Sequence, residues 1–199
     1  MNGRATPHIQ KGGDAPTPIR RRDRERHDSW IRAFLRLAPH GVLAMRDEDG
    51  PTLNSNLFVY DEDPHCLLFH TARTGRTPSL VARGGRATFT AVVMGRFLPA
   101  AQALEFSVEY GAVVASGALH EVTEPDEKRR GLEQIMAKYA PHLRAGSDYR
   151  AITEKEVGRT GVHRMRIDWW TGKEHTEVAD FPGAYELPPV PLPLNGPDG

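Results

Sequence analysis

Turn-forming residues cut the middle of this chain into apolar runs too short for helices. Asp47-Glu48-Asp49-Gly50 and Asp61-Glu62-Asp63-Pro64 separate Gly41–Met45, Leu53–Tyr60 and Cys66–His70. Each run has strand length and is bounded by residues that favour tight turns. Ala87–Val93 follows, then residues 104–110 and 112–119, with a break expected at Gly111. The last run alternates Val162, Arg164, Arg166 and Asp168 against His163, Met165, Ile167 and Trp169. A period of two means that one face is buried and the other is wet. Short strands in succession favour a closed antiparallel barrel with one or two helices outside it.

Two segments carry a helical period instead. Ser29 can cap a helix over 30–37, with Trp30, Phe34 and Leu37 on one side. Thr123-Glu124-Pro125-Asp126 supplies a cap, a first-turn proline and an early acid. Leu132, Ile135, Met136 and Tyr139 then form a stripe, and Pro141 stops it. The ends show neither period. Residues 1–28 read as a disordered or extended leader, whose basic run at 19–26 is diluted by acids. Residues 179–199 read as an extended Pro-rich tail, leaving 29–178 as the folded domain. The apolar share of 39% and mean hydropathy of -0.52 fit a chain whose ends contribute little core.

The formal charge is zero, with 26 basic and 26 acidic residues, so neither nucleic acid nor an anionic membrane is expected as a partner. The lone Cys66 excludes an internal disulfide and any multi-cysteine metal site, and it reads as a small core residue. No run reaches the roughly 20 apolar residues of a membrane span, and the first residues lack a secretory hydrophobic core. A cytoplasmic setting is the expectation. His40, His65, His120, His142, His163 and His175 have no metal spacing and read as surface residues, so no metal site is expected.

The stretch most suggestive of chemistry is Phe69-His70-Thr71-Ala72-Arg73-Thr74-Gly75-Arg76-Thr77, with two arginines, three threonines and a glycine in nine positions. Arginine offers a charged fork, threonine a hydroxyl, and glycine close approach of backbone N–H groups, which together suit a phosphate monoester. A solvated turn has the same composition. The Gly-x-x-x-x-Gly-Lys spacing of a P-loop is missing.

The ordered set Gly41-Val-Leu-Ala, Asp49-Gly-Pro, Asn56-Leu-Phe-Val-Tyr and Leu68-Phe-His-Thr-Ala-Arg-Thr-Gly-Arg-Thr77 resembles the FMN-binding split barrels. These are the pyridoxamine 5'-phosphate oxidase-like proteins, with their nitroimidazole-resistance branch. Met94-Gly-Arg-Phe-Leu-Pro, Ala103–Tyr110, Thr123–Tyr139 and Ile167–Lys173 extend the resemblance over about residues 29–175. It implies a mainly β fold, a six-stranded antiparallel split β-barrel with flanking helices, paired as a homodimer with FMN at the interface. Carried over by position, Ser55, Asn56 and Leu57 would lie along the flavin ring, with His70, Thr71 and Ala72 at its strand end. Arg73, Gly75, Arg76 and Thr77 would hold the phosphate. Thr77 stands where the oxidases have lysine, so a point charge is lost there. An arginine-rich substrate motif after Trp170 is also missing, which argues against pyridoxamine phosphate as substrate.

His70 is the candidate catalytic residue, able to hydrogen-bond the ring or relay a proton. A backbone-satisfied buried histidine and an axial haem ligand are its other readings. Of Trp169 and Trp170, one should face the core and the other, expected to be Trp170, should stack near the cofactor. Glu105 and Glu109 suit salt bridges with Arg96 or Arg164. The functional expectation is an FMN-dependent, nitroreductase-like oxidoreductase that passes electrons from a nicotinamide nucleotide to a small organic acceptor. A flavin- or haem-binding protein for storage or sensing is the alternative, with a deazaflavin as another possible cofactor.

Overall fold

In the computed structural model, which describes residues 18–190, the chain runs β1 (Glu25–Arg26), α1 (Asp28–Leu37), β2 (Gly41–Asp47), β3 (Gly50–Asn56), β4 (Phe58–Asp61), β5 (Cys66–Ala72), α2 (Arg76–Ala82), β6 (Arg86–Leu98), β7 (Ser107–Glu121), α3 (Pro125–Tyr139), α4 (Glu154–Arg159) and β8 (Thr160–His175). Residues 1–17 of the expected leader and 191–199 of the expected tail lie outside the described residues.

The eight strands make one sheet in the order β3-β2-β6-β7-β8-β5-β4, with β1 added beside β8, and every pairing is antiparallel. The mainly β split barrel is therefore present, with more strands than six. The expected strand 53–60 is interrupted at Leu57 and becomes β3 and β4. The two strands expected around Gly111 are instead continuous as β7. Glycine is required there for another reason: a Cβ would lie 2.7 Å from the Phe34 ring of α1.

Inside the barrel, Leu43, Phe58, Leu67, Phe69, Phe89 and Met165 are almost fully buried. Each such side chain contributes about 1.5–3 kcal/mol by leaving water. A second cluster joins Val59, Cys66 and Leu68 on the opposite face of β4 and β5 to Ile135 of α3. Burial pushes the Cys66 thiol up to about 11, which fits a packing role. In α1 the buried stripe is Ile31 and Leu35, with Trp30 and Phe34 beside it. Leu37, expected on the apolar face, is 82% exposed. The helix begins one residue before its expected cap, and its inward face is centred on Ile31 rather than Trp30. Helices α2 and α4 were not expected. The second starts with a capping box, in which Thr153 and Glu156 each satisfy the other's backbone N–H.

Both described ends are tied to the sheet. Ile19 is buried, and Glu25 and Arg26 pair with Lys173 and Gly172 of β8, so the folded unit starts before residue 29. At the other end, Phe97 and Tyr185 exchange backbone hydrogen bonds of 2.7 and 3.2 Å. Arg96 pairs with Glu109 at 2.7 Å and also donates to the carbonyls of Val178 and Ala179. The Arg96 guanidinium holds the Glu109 carboxyl down at about 2. Glu109 thus meets one of its two expected partners, while Arg164 pairs with Glu127 of α3. Among the described residues no helix is long and apolar enough to cross a membrane.

His163, read from sequence as a surface residue, is 2% exposed. It lies on the inward face of β8 with Met165 and Ile167. Its Nε2 is 2.9 Å from the Thr71 hydroxyl, and its Nδ1 has no partner. Burial lowers its pKa, so the folded state favours neutral imidazole. The unfolded chain takes up this proton first as pH drops below about 6.5, costing up to about 1.4 kcal/mol of stability per pH unit. His65, also depressed by burial, acts in the same sense. Thermal melts from pH 7 to 5 should show falling stability, and His163→Gln should flatten that slope. An unchanged slope would contradict the assignment. A second test concerns Gly117, beside the β7–β8 register shift, where a Cβ would lie 1.7 Å from the Arg166 carbonyl oxygen. Gly117→Ala should cost about 3 kcal/mol or more. Gly158→Ala in α4, where a Cβ meets nothing within 4 Å, should stabilise by about 0.5–1 kcal/mol in the same assay.

Candidate functional site

The sheet begins with β3 and ends with β4, and Leu57 alone joins them. Among the described residues β3 pairs with β2 alone, so its other edge is unpaired there along residues 50–56. Beyond Phe69, which pairs with Phe58, no strand among the described residues lies on the β4 side of β5, so residues 70–72 are also unpaired there. These two open edges flank the split. A strand edge offers a row of backbone N–H and C=O groups that must find partners in water, in another chain or in a ligand.

Side chains on β3 reach α2 and one another. Asn54 donates from Nδ2 to the Thr77 hydroxyl at 3.0 Å, and Asn56 donates to the Asn54 carbonyl at 2.9 Å. Asn54 was not singled out from sequence, although its place two residues before Asn56 puts it on the same face. Ser55 and Leu57 belong to the opposite face from Asn56, and Leu57 is 43% exposed. The alternation of a strand means that these three side chains cannot all meet one face of a planar group. Their shared asset is the backbone edge.

His70 and Thr71 likewise diverge. Thr71 turns to the barrel interior and His163. His70 shares the α3-side face of β5 with Leu68 and is paired across the sheet with Val162. Its Nδ1 is buried without a partner, so the expectation of a backbone-satisfied ring does not hold at that atom.

The turn 73–77 is exposed, apart from a half-buried Thr77. Gly75 has φ of 124°, a conformation that side chains rarely adopt, and it precedes α2. Its arginines already have protein partners. Arg76 forks onto Asp47 at 2.9 and 3.0 Å, and Arg73 donates to the Gly158 carbonyl at 2.9 Å. The Asp47 carboxyl is held below its usual range by the Glu48 N–H and by Arg76. A phosphate at this turn would have to share or replace Asp47. An open cavity of about 520 Å³ lies behind α2, lined by Asp47, Leu80, Val81 and Arg83, but the turn does not line it.

Trp170 does not stand at the split. Its ring packs against the core, its N–H donates to Asp28 of α1 at 2.9 Å, and Arg32 lies over it at 5.2 Å. Trp169, its neighbour on the strand, turns to the other face of the sheet, opposite Ser116.

That same outer face, across β3, β2, β6 and β7, leaves Leu53, Val92 and Met94 66%, 48% and 56% exposed. Large apolar side chains at this exposure on one face, Leu53 on β3 and Val92 and Met94 on β6 with β2 between them, make an apolar surface that single chains seldom leave bare.

No curated protein sequence matches the chain. Among solved structures it is similar to the flavocytochrome Anf3 of Azotobacter vinelandii, with 20% identity, a TM-score of 0.73, and 94% of this chain and 92% of that one covered. It is similar to an FAD- and haem-binding protein of Mycobacterium smegmatis, with 20% identity, a TM-score of 0.70, and 87% and 88% covered. A protein of Bacteroides thetaiotaomicron described as a 5-nitroimidazole antibiotic resistance protein shares 20% identity with a TM-score of 0.62, and 74% and 84% are covered. At these identities the likeness speaks for the fold. The sequence itself matches the pyridoxamine 5'-phosphate oxidase family over residues 27–174, which take in the whole sheet except β1 and the last residue of β8. The chain belongs to the pyridoxamine 5'-phosphate oxidase family.

Proposed function

We propose that this chain is a flavin-dependent oxidoreductase. It would hold FMN, or the FMN half of a larger flavin nucleotide, along the open edge of β3 in a homodimer. The observation that carries the reading is the pair of unpaired edges at the split, residues 50–56 and 70–72, followed directly by the Arg73–Thr77 turn. A flavin ring needs donors and acceptors along one polar side, and a strand edge supplies them in a fixed row. Family membership supports the same reading, as do the flavins named for the similar structures.

Bound flavin would supply hydride acceptance from a nicotinamide nucleotide and electron delivery to a small organic acceptor. The chain's own residues position and screen it. The backbone at Ser55–Leu57 orients the ring, and the apolar Leu57 limits water beside it. The Thr77 hydroxyl and the exposed Arg76 guanidinium meet the phosphate, with Arg76 exchanging Asp47 for a stronger anion. The unpartnered His70 Nδ1 offers a hydrogen bond or a proton at the strand end. The Leu53, Val92 and Met94 patch, which a second copy would cover, supports the dimer reading. That copy would also enclose a turn that is open in one chain, and Trp169 rather than Trp170 is the indole on that side.

A second reading, a flavin- and haem-carrying protein for electron storage or sensing, draws support from the two similar structures described as a flavocytochrome and as FAD- and haem-binding.

Purified protein reconstituted with FMN or FAD should show flavin absorption that stays with the protein on gel filtration. It should also oxidise a reduced nicotinamide when a nitroaromatic or quinone acceptor is present. Arg76→Ala should weaken flavin binding about ten- to hundredfold, the loss of one charge-assisted contact. Failure to retain either flavin would overturn the reading, and retention without turnover would favour the second one. Leu53→Asp should convert the dimer to monomer by light scattering, whereas a wild-type monomer would remove the interface.

A further inference from the structure

A second open groove lies at the end of β6 that extends past its pairing with β2, away from the split. Its volume is about 390 Å³, within the range of small-ligand sites. Leu98, Pro99, Leu104, Phe106 and Phe181 make its apolar walls, and Leu104 and Phe106 are 95% and 44% exposed. The segments before α1 and after β8 meet here, because Glu25 pairs with Lys173 and so brings Arg24 to the His175 end of β8. The flavin reading makes no use of any of these residues.

The groove carries charges of both signs that do not neutralise each other. Arg24 makes no ion pair or side-chain hydrogen bond among the described residues, and its Nε is buried without a partner. Its guanidinium lies over the Tyr110 ring, 5.8 Å from the centre. Glu105, expected from sequence to pair with Arg96 or Arg164, has no ion pair among the described residues, since Arg96 is taken by Glu109 and Arg164 by Glu127. Arg21, by contrast, is held by Asp23 at 2.6 Å. A cation and an anion that line one apolar slot without meeting suit a ligand that carries the opposite charge for each.

His175 and Glu177 add a second demand for a cation. His175 is only 16% exposed at its side chain, against the surface role expected from sequence. Its Nδ1 is 3.1 Å from the Val108 carbonyl oxygen. A carbonyl can only accept, so Nδ1 carries the proton in that bond and the neutral ring has its lone pair on Nε2. The Glu177 carboxylate lies 3.4 Å from that nitrogen. Within the chain, only a second ring proton can join these two acceptors. An incoming ammonium, with three N–H groups, serves both. The Glu177 backbone is pinned, its N–H to Glu109 at 2.9 Å and its carbonyl to Arg96 at 3.4 Å, which keeps the carboxylate at the groove. The Tyr110 ring lies 6.4 Å from the His175 ring, so Arg24 and the acceptor pair flank the same tyrosine.

We propose that this groove binds a free α-amino acid with a large apolar side chain. Arg24 takes its carboxylate, and Glu177 with the Nε2 of His175 takes its ammonium. Glu105 adds negative potential around the slot, and Leu98, Leu104, Phe106 and Phe181 cover the side chain. An α-carbon holds a carboxylate and an ammonium side by side, as the groove holds Arg24 and Glu177 around Tyr110. An apolar acid would leave the acceptor pair unserved, and an apolar amine would leave Arg24 so.

The test is calorimetric titration of L-phenylalanine into the purified full-length chain. The controls are 3-phenylpropionate, which lacks the ammonium, and phenethylamine, which lacks the carboxylate. L-Phenylalanine should saturate at one per chain, and each control should bind about tenfold or more weakly, the loss of one charge-assisted contact. Arg24→Gln should weaken phenylalanine by a similar factor and leave phenethylamine unchanged. Glu177→Gln should weaken phenylalanine and leave 3-phenylpropionate unchanged. Leu104→Asp, at a position too exposed to matter for folding, should weaken all three and serves if either other variant does not fold. Arg76→Ala, which tests the flavin site, should leave the titration unchanged, so the two assignments fail separately. The proposal is overturned by non-saturating binding of L-phenylalanine, by either control binding as tightly, or by Arg24→Gln and Glu177→Gln forms that bind as wild type does.

Discussion

A sheet whose first and last strands are neighbours in sequence cannot pair them with each other when a single residue separates them. β3 and β4 diverge from Leu57, and the barrel stays open along that line. Everything distinctive about the fold follows from keeping this split while closing the rest. The long ribbon β6–β7–β8 does the closing. It bends where the register slips at Gly117, with the Arg166 carbonyl so near that no side chain fits. The hydrophobic interior then holds β2, β4 and β5 against that ribbon, and the free backbone groups collect on the two edges the core cannot reach.

Charge is distributed to suit that opening. The exposed turn after β5 brings Arg73 and Arg76 to it, and neither is left without an acceptor: a helix carbonyl serves one and Asp47 the other. Such borrowed partners keep two cations close together on a small surface without strong mutual repulsion. Asp47 accepts from the Glu48 N–H and from Thr52 as well as from Arg76, so it remains hydrogen-bonded if the guanidinium turns away. Release of Arg76 thus costs a partly screened, exposed ion pair rather than a buried one.

The strands and α3 are legible in the sequence because their signals are local: a period of two for β8, short apolar runs bounded by turns for β2 and β5, and a period near four for α3. The break at Leu57 was not. Leu53, Ser55 and Leu57 keep the alternation right up to Phe58, and nothing in composition marks the point where the partner strand changes. At Gly111 the error ran the other way. A glycine that reads as a strand end is there to admit Phe34 from a helix some eighty residues earlier in the chain. For α4 the local signal is the capping-box spacing of Thr153 and Glu156, in a helix of only six residues. The site residues divide on the same principle. The Arg/Thr turn is contiguous and legible directly, whereas the Thr71–His163 contact depends on register between distant strands and the Asn54–Thr77 bridge on the packing of α2 against β3.

The same reasoning explains why the groove at Arg24 and His175 left no trace in the sequence. Its residues come from three segments, none of which has a motif, and the distance between them along the chain is most of the domain. They meet because β1 adds to β8 and because Arg96 fastens the Glu177–Ala179 backbone to the β6–β7 ribbon. That ion pair is well shielded, and the carbonyls it holds have no strand partner of their own, so it substitutes for a missing ladder. A chain that needed only a barrel could end at β8. Here the segments before α1 and after β8 are held against the sheet, and Arg24 from one and Glu177 from the other line the same groove.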